Sequence, residues 1–146
     1  MIIKCRNKKI NCSESAKDIF YKILSQENDV DRQKEHFWSM GLDTTNKIIY
    51  IELVSLGTLN QSIVHAREIF RMAIMKGVCS ILVAHNHPCG SMEASKQDIE
   101  TTKMLYDSGE LLGIKLIDHI IIGNDERSFV SLRDDKWYIF TAKGTP

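Results

Sequence analysis

Residues 78–90, VCSILVAHNHPCG, carry the strongest structural signal in this chain. It begins with a continuous apolar run over residues 78–84, which is typical of a β-strand buried on both faces of a sheet. Two histidines follow directly, and side chains two residues apart on an extended backbone lie on the same side. The stretch therefore predicts a buried strand that delivers His85 and His87 to one point at its end.

A carboxylate follows at a position from which it can return to these histidines. Pro88 and Gly90 supply turn chemistry, Ser95 is a natural helix N-cap, and Asp98 stands three residues later. Ser-x-x-Asp is also close to a capping box, in which the acidic side chain bends back to the helix start. We expect the cap and the metal-site role to coexist for Ser95 but to compete for Asp98. The histidines just upstream favour Asp98 as a ligand.

Two imidazoles, one carboxylate and an open fourth position form the ligand set of a catalytic zinc. His85, His87 and Asp98 are therefore the predicted ligands of one zinc ion per chain. The zinc lowers the pKa of a bound water towards about 7, and a hydrolase then needs a carboxylate to take the proton. The candidate carboxylates are Glu35, Glu52, Glu68, Glu93 and Glu100. Glu35, at the start of the first long strand, is favoured by its position, whereas Glu52 in mid-strand is expected to face water.

On both sides of this stretch, hydrophobic periodicity predicts an alternation of helices and strands. Helices are expected over 13–27, 64–76 and 95–108, and Gly77 and Gly109 are the expected helix stops. Strands are expected over 36–42, 47–56, 78–84, 116–122, 128–132 and 136–141. The first ten residues are expected to form an edge strand or a loose arm. This order implies a mixed sheet with helices packed on it.

Composition narrows the classes of protein to which the chain can belong. The 146 residues predict a single domain, and 19 basic side chains balance 19 acidic ones. The balance argues against direct nucleic-acid binding and against a basic membrane-binding face. The sequence has no run of about 20 apolar residues, as a membrane span requires, and no signal-peptide pattern. Four cysteines without zinc-finger spacing indicate reduced thiols and a cytoplasmic location.

The histidine and serine motifs resemble those of a known family. His85-x-His87-Pro88 followed by Ser95-x-x-Asp98 resembles the JAMM signature of JAB1/MPN/Mov34 metalloproteases. The longer sequence pattern around this motif is similar to that of the bacterial RadC family. The matching segments, between about residues 13 and 133, are LDTTN (42–46), GTLN (57–60), REIF (67–70), HNHP (85–88) and DHIIIG (118–123). The resemblance implies an α/β fold, a mixed α+β sheet flanked by helices, in the three-layer MPN/JAB, cytidine-deaminase-like architecture.

The resemblance also implies a role for each site residue. His85, His87 and Asp98 correspond to the zinc ligands, Ser95 to the serine that helps to stabilise the oxyanion, and Glu35 to the catalytic glutamate, with Glu52 in reserve. The implied activity is that of a zinc metallopeptidase or isopeptidase, in which zinc-bound hydroxide cleaves an amide bond of a protein or peptide substrate. The alternative is a DNA-repair-associated accessory protein of the RadC type with a non-proteolytic or vestigial zinc site. A metal-dependent phosphodiesterase is a weaker option, since such sites often hold two metals.

Several positions depart from the RadC pattern. Cys89 stands where the family has Ser, and SMEA (91–94) replaces Asp-Pro-x-Pro, so the loop over the metal is expected to be looser. Cys89 could be an extra soft ligand or an oxidation-sensitive thiol, but a tolerated replacement of Ser is favoured. For His119, hydrogen bonding in the core is favoured over a role behind the metal ligands. Longer RadC proteins carry a helix-hairpin-helix region before this domain, and none is expected here.

Overall fold

A computed structural model describes residues 2–3, 8–57 and 64–141. Its elements in chain order are β1 (Ile2–Ile3), α1 (Ser13–Ser25), α2 (Asp29–Arg32), β2 (Glu35–Leu42), β3 (Ile48–Gly57), α3 (Ala66–Lys76), β4 (Ser80–Asn86), α4 (Lys96–Leu112), β5 (Lys115–Ile122), β6 (Phe129–Ser131), α5 (Leu132–Asp135) and a 3-10 helix (Trp137–Phe140). Residues 58–60 of the GTLN segment lie outside the described part. No helix in the described ranges has the length and apolar content to cross a membrane.

The sheet has six strands in the order β1-β3-β2-β4-β5-β6. Strands β4 and β5 are parallel, and every other neighbouring pair is antiparallel. All seven residues of β4 are buried, which fits its apolar run and its place between β2 and β5. The predicted mixed sheet is confirmed, and of the two alternatives for the first residues, Ile2–Ile3 form an edge strand.

Helices cover both faces of the sheet. Helix α1 lies on one face, where the rings of Phe20 and Trp38 are 5.6 Å apart. Helices α3 and α4 lie on the other face, where Phe70 and Leu105 are fully buried against the strands. The buried apolar residues of α1 recur with the spacing of one helix face, and they are Ala16, Ile19, Phe20 and Leu24. The three-layer architecture is therefore present.

The strand predicted over residues 136–141 is wrong. The Ser131 hydroxyl oxygen accepts a hydrogen bond from the Asp134 N–H, so the chain turns into α5 as soon as β6 ends. In the 3-10 helix that follows, Ile139 is buried and the Phe140 ring lies 6.0 Å from the ring of Tyr106 on α4. Packing of these apolar side chains beside α4 therefore outweighs their preference for extended backbone.

Helix α4 is also longer than expected, because it continues through Gly109 to Leu112, and Gly113 is its C-cap. A Cβ atom at position 109 would lie 2.3 Å from the main-chain oxygen of Ile114. Glycine is needed there because the chain leaving the helix passes directly over it. The residue read as a stop signal is thus a close-approach position inside the helix.

Gly109→Ala is expected to destabilise the protein by about 1–3 kcal/mol, because the added methyl group overpacks against the Ile114 carbonyl. The expected loss of stability is opposite to the intrinsic helix preference, which favours alanine over glycine by about 1 kcal/mol. Urea unfolding of the variant and the parent measures the difference. Glu110→Ala, an exposed neighbour on the same helix, is the control. A Gly109→Ala protein as stable as the parent would contradict the close approach.

Candidate metal centre

His85, His87 and Asp98 come together at the end of β4. His85 lies within the strand, His87 follows it, and Asp98 is in the first turn of α4. Their potential ligand atoms all lie within 4.8 Å of one another. The two Nε2 atoms are 2.9 Å apart, and the carboxylate oxygens lie 3.3 Å from His85 Nε2 and 3.1 Å from His87 Nε2. These three residues form a group that could bind a metal ion.

The start of α4 orients the carboxylate of Asp98. The Ser95 hydroxyl oxygen accepts a hydrogen bond from the Asp98 N–H at 3.0 Å, and the Asp98 carboxylate accepts one from the Ser95 N–H at 2.9 Å. The expected competition between cap and site is therefore wrong. A carboxylate has about four lone-pair positions, so one oxygen can accept from the main chain while the group still faces both histidines. The capping box holds the acidic side chain in place.

The hydrogen-bond inventory provides a test of whether the group fits a cation. His87 Nδ1 lies 2.9 Å from the Ser91 carbonyl oxygen, which can only accept, so Nδ1 carries a proton and the neutral ring leaves Nε2 bare. That bare nitrogen faces the Asp98 carboxylate and His85 Nε2. A positive charge between these atoms stabilises such a close approach of electron-rich groups. Two imidazole nitrogens and a carboxylate are a donor set that suits zinc, so the residues fit the metal.

Without a metal, the surroundings of His87 favour a proton on its imidazole. The hydrogen bond with Asp98 raises the pKa of the His87 imidazole, partial burial opposes the rise, and the charge of Glu35 adds to it. Burial alone would raise the pKa of the Asp98 carboxyl, but the hydrogen bonds with His85 and His87 hold it well below its usual range. Asp98 is therefore ionised at neutral pH, as a ligand must be.

A cleft of about 240 Å³ opens beside the group. The side chains of His87 and Asp98 line it and are 11% and 15% exposed, so solvent can reach them. Glu35 begins β2 and lines the same cleft, as does Ser95. The structure thus places both residues that were predicted to assist catalysis beside the three predicted ligands.

Glu52, the reserve candidate, lies elsewhere. On β2, Glu52 pairs with Ser39, whereas His85 pairs with Phe37, two residues earlier on the same strand. Glu52 also belongs to β3, which lies on the other side of β2 from β4. Glu52 is buried, contrary to the expectation that it faces water, and its Oε1 lies 3.6 Å from Arg71 Nη2. Burial beneath the helix that carries this arginine explains the difference. Glu52 is not among the residues that line the cleft.

Sequence reasoning missed Asn86, which stands between the two histidines. Its Oδ1 accepts a hydrogen bond from the His36 N–H at 2.6 Å, and its Nδ2 donates to the Lys34 carbonyl at 3.0 Å. The two bonds hold the main chain on both sides of Glu35. No spacing rule could have found this contact, because it joins residues 50 positions apart.

His119 also lies beside the centre. It is fully buried on β5, with Nε2 2.7 Å from His85 Nδ1 and Nδ1 2.7 Å from the hydroxyl oxygen of Thr102. Burial lowers the pKa of the His119 imidazole well below its ordinary value, so the ring is neutral. The sequence led us to expect core hydrogen bonding, and the structure adds that one partner is a predicted metal ligand. Thr102 carried no signal in the sequence.

Cys89 lines the cleft but does not belong to the group of potential ligands found among the described residues. It is exposed, with a free thiol.

Residues 10–137 match the sequence model of the family described as "RadC-like JAB domain". The chain belongs to this family. It is 48% identical over 100 residues to a UPF0758 protein of Desulforudis audaxviator, a match that covers 68% of this chain and 43% of that protein. A UPF0758 protein of Caldanaerobacter subterraneus is 50% identical over 107 residues, a match that covers 73% of this chain and 45% of that protein. For one of Methanosarcina mazei the identity is 47% over 105 residues, covering 72% and 45%.

The chain spans about half the length of the curated relatives that it matches. The mixed sheet flanked by helices is consistent with the JAB/MPN fold, so the resemblance read from the motifs is confirmed at the level of family and fold. A RadC-like JAB domain with a His-His-Asp group that could bind a metal is what the sequence, the structure and the relatives together establish.

Removing a single ligand from this RadC-like domain is expected to abolish tight metal binding. Protein purified without a histidine tag should carry about one zinc per chain, and His87→Ala or Asp98→Asn should carry almost none, as measured by plasma mass spectrometry. His65→Ala is the control, since His65 is exposed at the start of α3. Equal zinc content in the parent and the ligand variants would contradict the site.

Proposed function

We propose that this domain is a zinc-dependent hydrolase of the JAMM type, a metallopeptidase or isopeptidase that cleaves an amide bond. The observation that carries the proposal is the convergence of His85, His87 and Asp98 beside a cleft that Glu35 also lines. Three protein ligands leave a position for water, which distinguishes a catalytic zinc site from a structural one with four. The resemblance to JAMM metalloproteases supports the amide bond as the target.

Each side chain has a task that follows from its place. Zinc held by the two histidines and Asp98 would supply an acidic water and polarise the scissile carbonyl. Glu35 takes the proton of the attacking water and passes it to the leaving nitrogen, a transfer that amide cleavage needs because a free amide anion leaves poorly. The Asn86 bonds to Lys34 and His36 keep the main chain at Glu35 in position for this transfer.

Ser95 is suited to stabilise the oxyanion. Its hydroxyl oxygen accepts the N–H of Asp98, so its own hydrogen remains available to donate towards the cleft. Such a donor next to the metal ligands strengthens as negative charge develops on the carbonyl oxygen. The helix cap and the oxyanion contact therefore use different parts of one hydroxyl group.

A second candidate function is that of a RadC-type accessory protein with a non-proteolytic metal site. The same contacts that orient the ligands favour it, since Asp98 caps α4 and His85 is tied into the core through His119. A metal held in this way can stabilise the fold without catalysis. The balanced charge argues against direct contact with DNA in this part of the protein.

The test is a screen of zinc-loaded protein against a mixture of internally quenched peptides and an isopeptide-linked lysine substrate. The parent is expected to cleave an amide bond, and Glu35→Gln to lower kcat by about 100- to 10,000-fold while zinc content stays at the parent level. Glu100→Gln, an exposed glutamate on α4, is the charge-matched control and should keep parent activity.

Two results would overturn parts of the proposal. Loss of turnover in Glu52→Gln with activity retained in Glu35→Gln would reassign the general base. Absence of amide cleavage by a parent protein that carries zinc would remove the peptidase function and favour the accessory role.

A further inference from the structure

His119 is a buried titratable residue that the proposed function does not use. It lies on β5 opposite Val83, fully buried, with hydrogen-bond partners at both ring nitrogens. A core histidine needs only one satisfied donor and one satisfied acceptor. Here, however, one partner is His85, itself a proposed ligand, and the other is Thr102 on the helix that carries Asp98.

The direction of each hydrogen bond can be worked out from Thr102. Its hydroxyl lies 2.6 Å from the Asp98 main-chain carbonyl, which can only accept, so the single hydroxyl hydrogen is donated there. The Thr102 oxygen must then accept from His119, which places the proton of the neutral His119 ring on Nδ1. The bare Nε2 of His119 in turn accepts from Nδ1–H of His85, 2.7 Å away.

This order leaves the Nε2 atom of His85 without a proton. That nitrogen faces His87 Nε2 at 2.9 Å and the Asp98 carboxylate at 3.3 Å. For His87, the main-chain carbonyl of Ser91 fixes the ring tautomer directly, because a carbonyl can only accept a hydrogen bond. The partner of His85 is a histidine, which can donate or accept. The tautomer of His85 therefore depends on Thr102, the next residue in the series of hydrogen bonds.

We propose that His119 and Thr102 are positioning residues that hold His85 with its Nε2 lone pair presented to the metal. The inference rests on the proposed metal site. Three hydrogen bonds join His85 on β4 to His119 on β5, then to Thr102, and finally to the Asp98 carbonyl on α4. The chain of bonds thus couples two ligands on different elements, and partners of this kind commonly change metal affinity about 10- to 100-fold.

Two amide substitutions at position 119 separate positioning from simple filling of the core. In His119→Gln the amide reaches the place of Nε2 and can still accept from His85. In His119→Asn the shorter side chain places its amide near Nδ1, within reach of Thr102 but not of His85. We expect the dissociation constant for zinc, measured by competition with a chromophoric chelator, to rise about 10- to 100-fold in His119→Asn and to stay near the parent value in His119→Gln.

A second pair of variants tests Thr102, at the other end of this series of hydrogen bonds. Thr102→Val removes the hydroxyl at nearly constant shape and frees the His119 ring to take the other tautomer, whereas Thr102→Ser keeps the hydroxyl. Zinc affinity should fall in Thr102→Val and recover in Thr102→Ser. Thermal unfolding of each metal-free variant shows whether the fold is retained, so that this pair remains informative if a position-119 variant does not fold.

Long-range ¹H–¹⁵N NMR of the metal-free parent reads the tautomer directly. A proton on Nδ1 of His119 is expected, and a proton on Nε2 would overturn the inference. Equal zinc affinity in the parent, His119→Asn and Thr102→Val would also overturn it while leaving the metal site intact. A parent that binds no zinc would instead overturn the proposed function, and the positioning role would fall with it.

Discussion

The centre depends on strand β4 being paired along both edges. Its antiparallel pairing with β2 sets Phe37 opposite His85, and its parallel pairing with β5 sets His119 opposite Val83. A shift in its register would break the hydrogen-bond ladders on both edges and move His85 away from His119. The position of His85 is therefore as rigid as the middle of the sheet, which suits a residue that must hold a metal.

Several polar residues stabilise the fold and shape the centre with the same contacts. Asp98 completes the cap of α4 while its carboxylate faces two histidines, and Asn86 satisfies main-chain groups on both sides of Glu35. Buried or half-buried polar groups need partners, since leaving one unpaired costs roughly 1–3 kcal/mol. Here the partners are elements of the centre itself. Substitutions at these positions consequently affect both stability and function, and the two effects must be measured separately.

The two histidines of the centre obtain their orientation in different ways. His87 lies in the turn after β4 and contacts a main-chain carbonyl, which almost any sequence could provide. His85 lies inside the sheet, where the main chain is occupied by strand pairing, so only a side chain can contact its inner nitrogen. This difference explains why a buried histidine and a buried threonine are found behind one ligand. It also connects the RadC-like family motif around His119 with the chemistry of the centre.

Features that depend on neighbouring residues could be predicted from the sequence alone. These are the buried strand, the spacing of His85 and His87 on one side of it, and the start of α4 at Ser95 with Asp98 three residues on. Such patterns can be recognised in the sequence because strand alternation and helix capping act over a few residues. The burial of Glu52, its absence from the lining of the cleft that Glu35 reaches, and the contact between His85 and His119 depend on the tertiary structure. They join residues that are far apart in the chain, 34 positions in the case of the two histidines. Their proximity follows from strand register and helix packing, which no local pattern encodes.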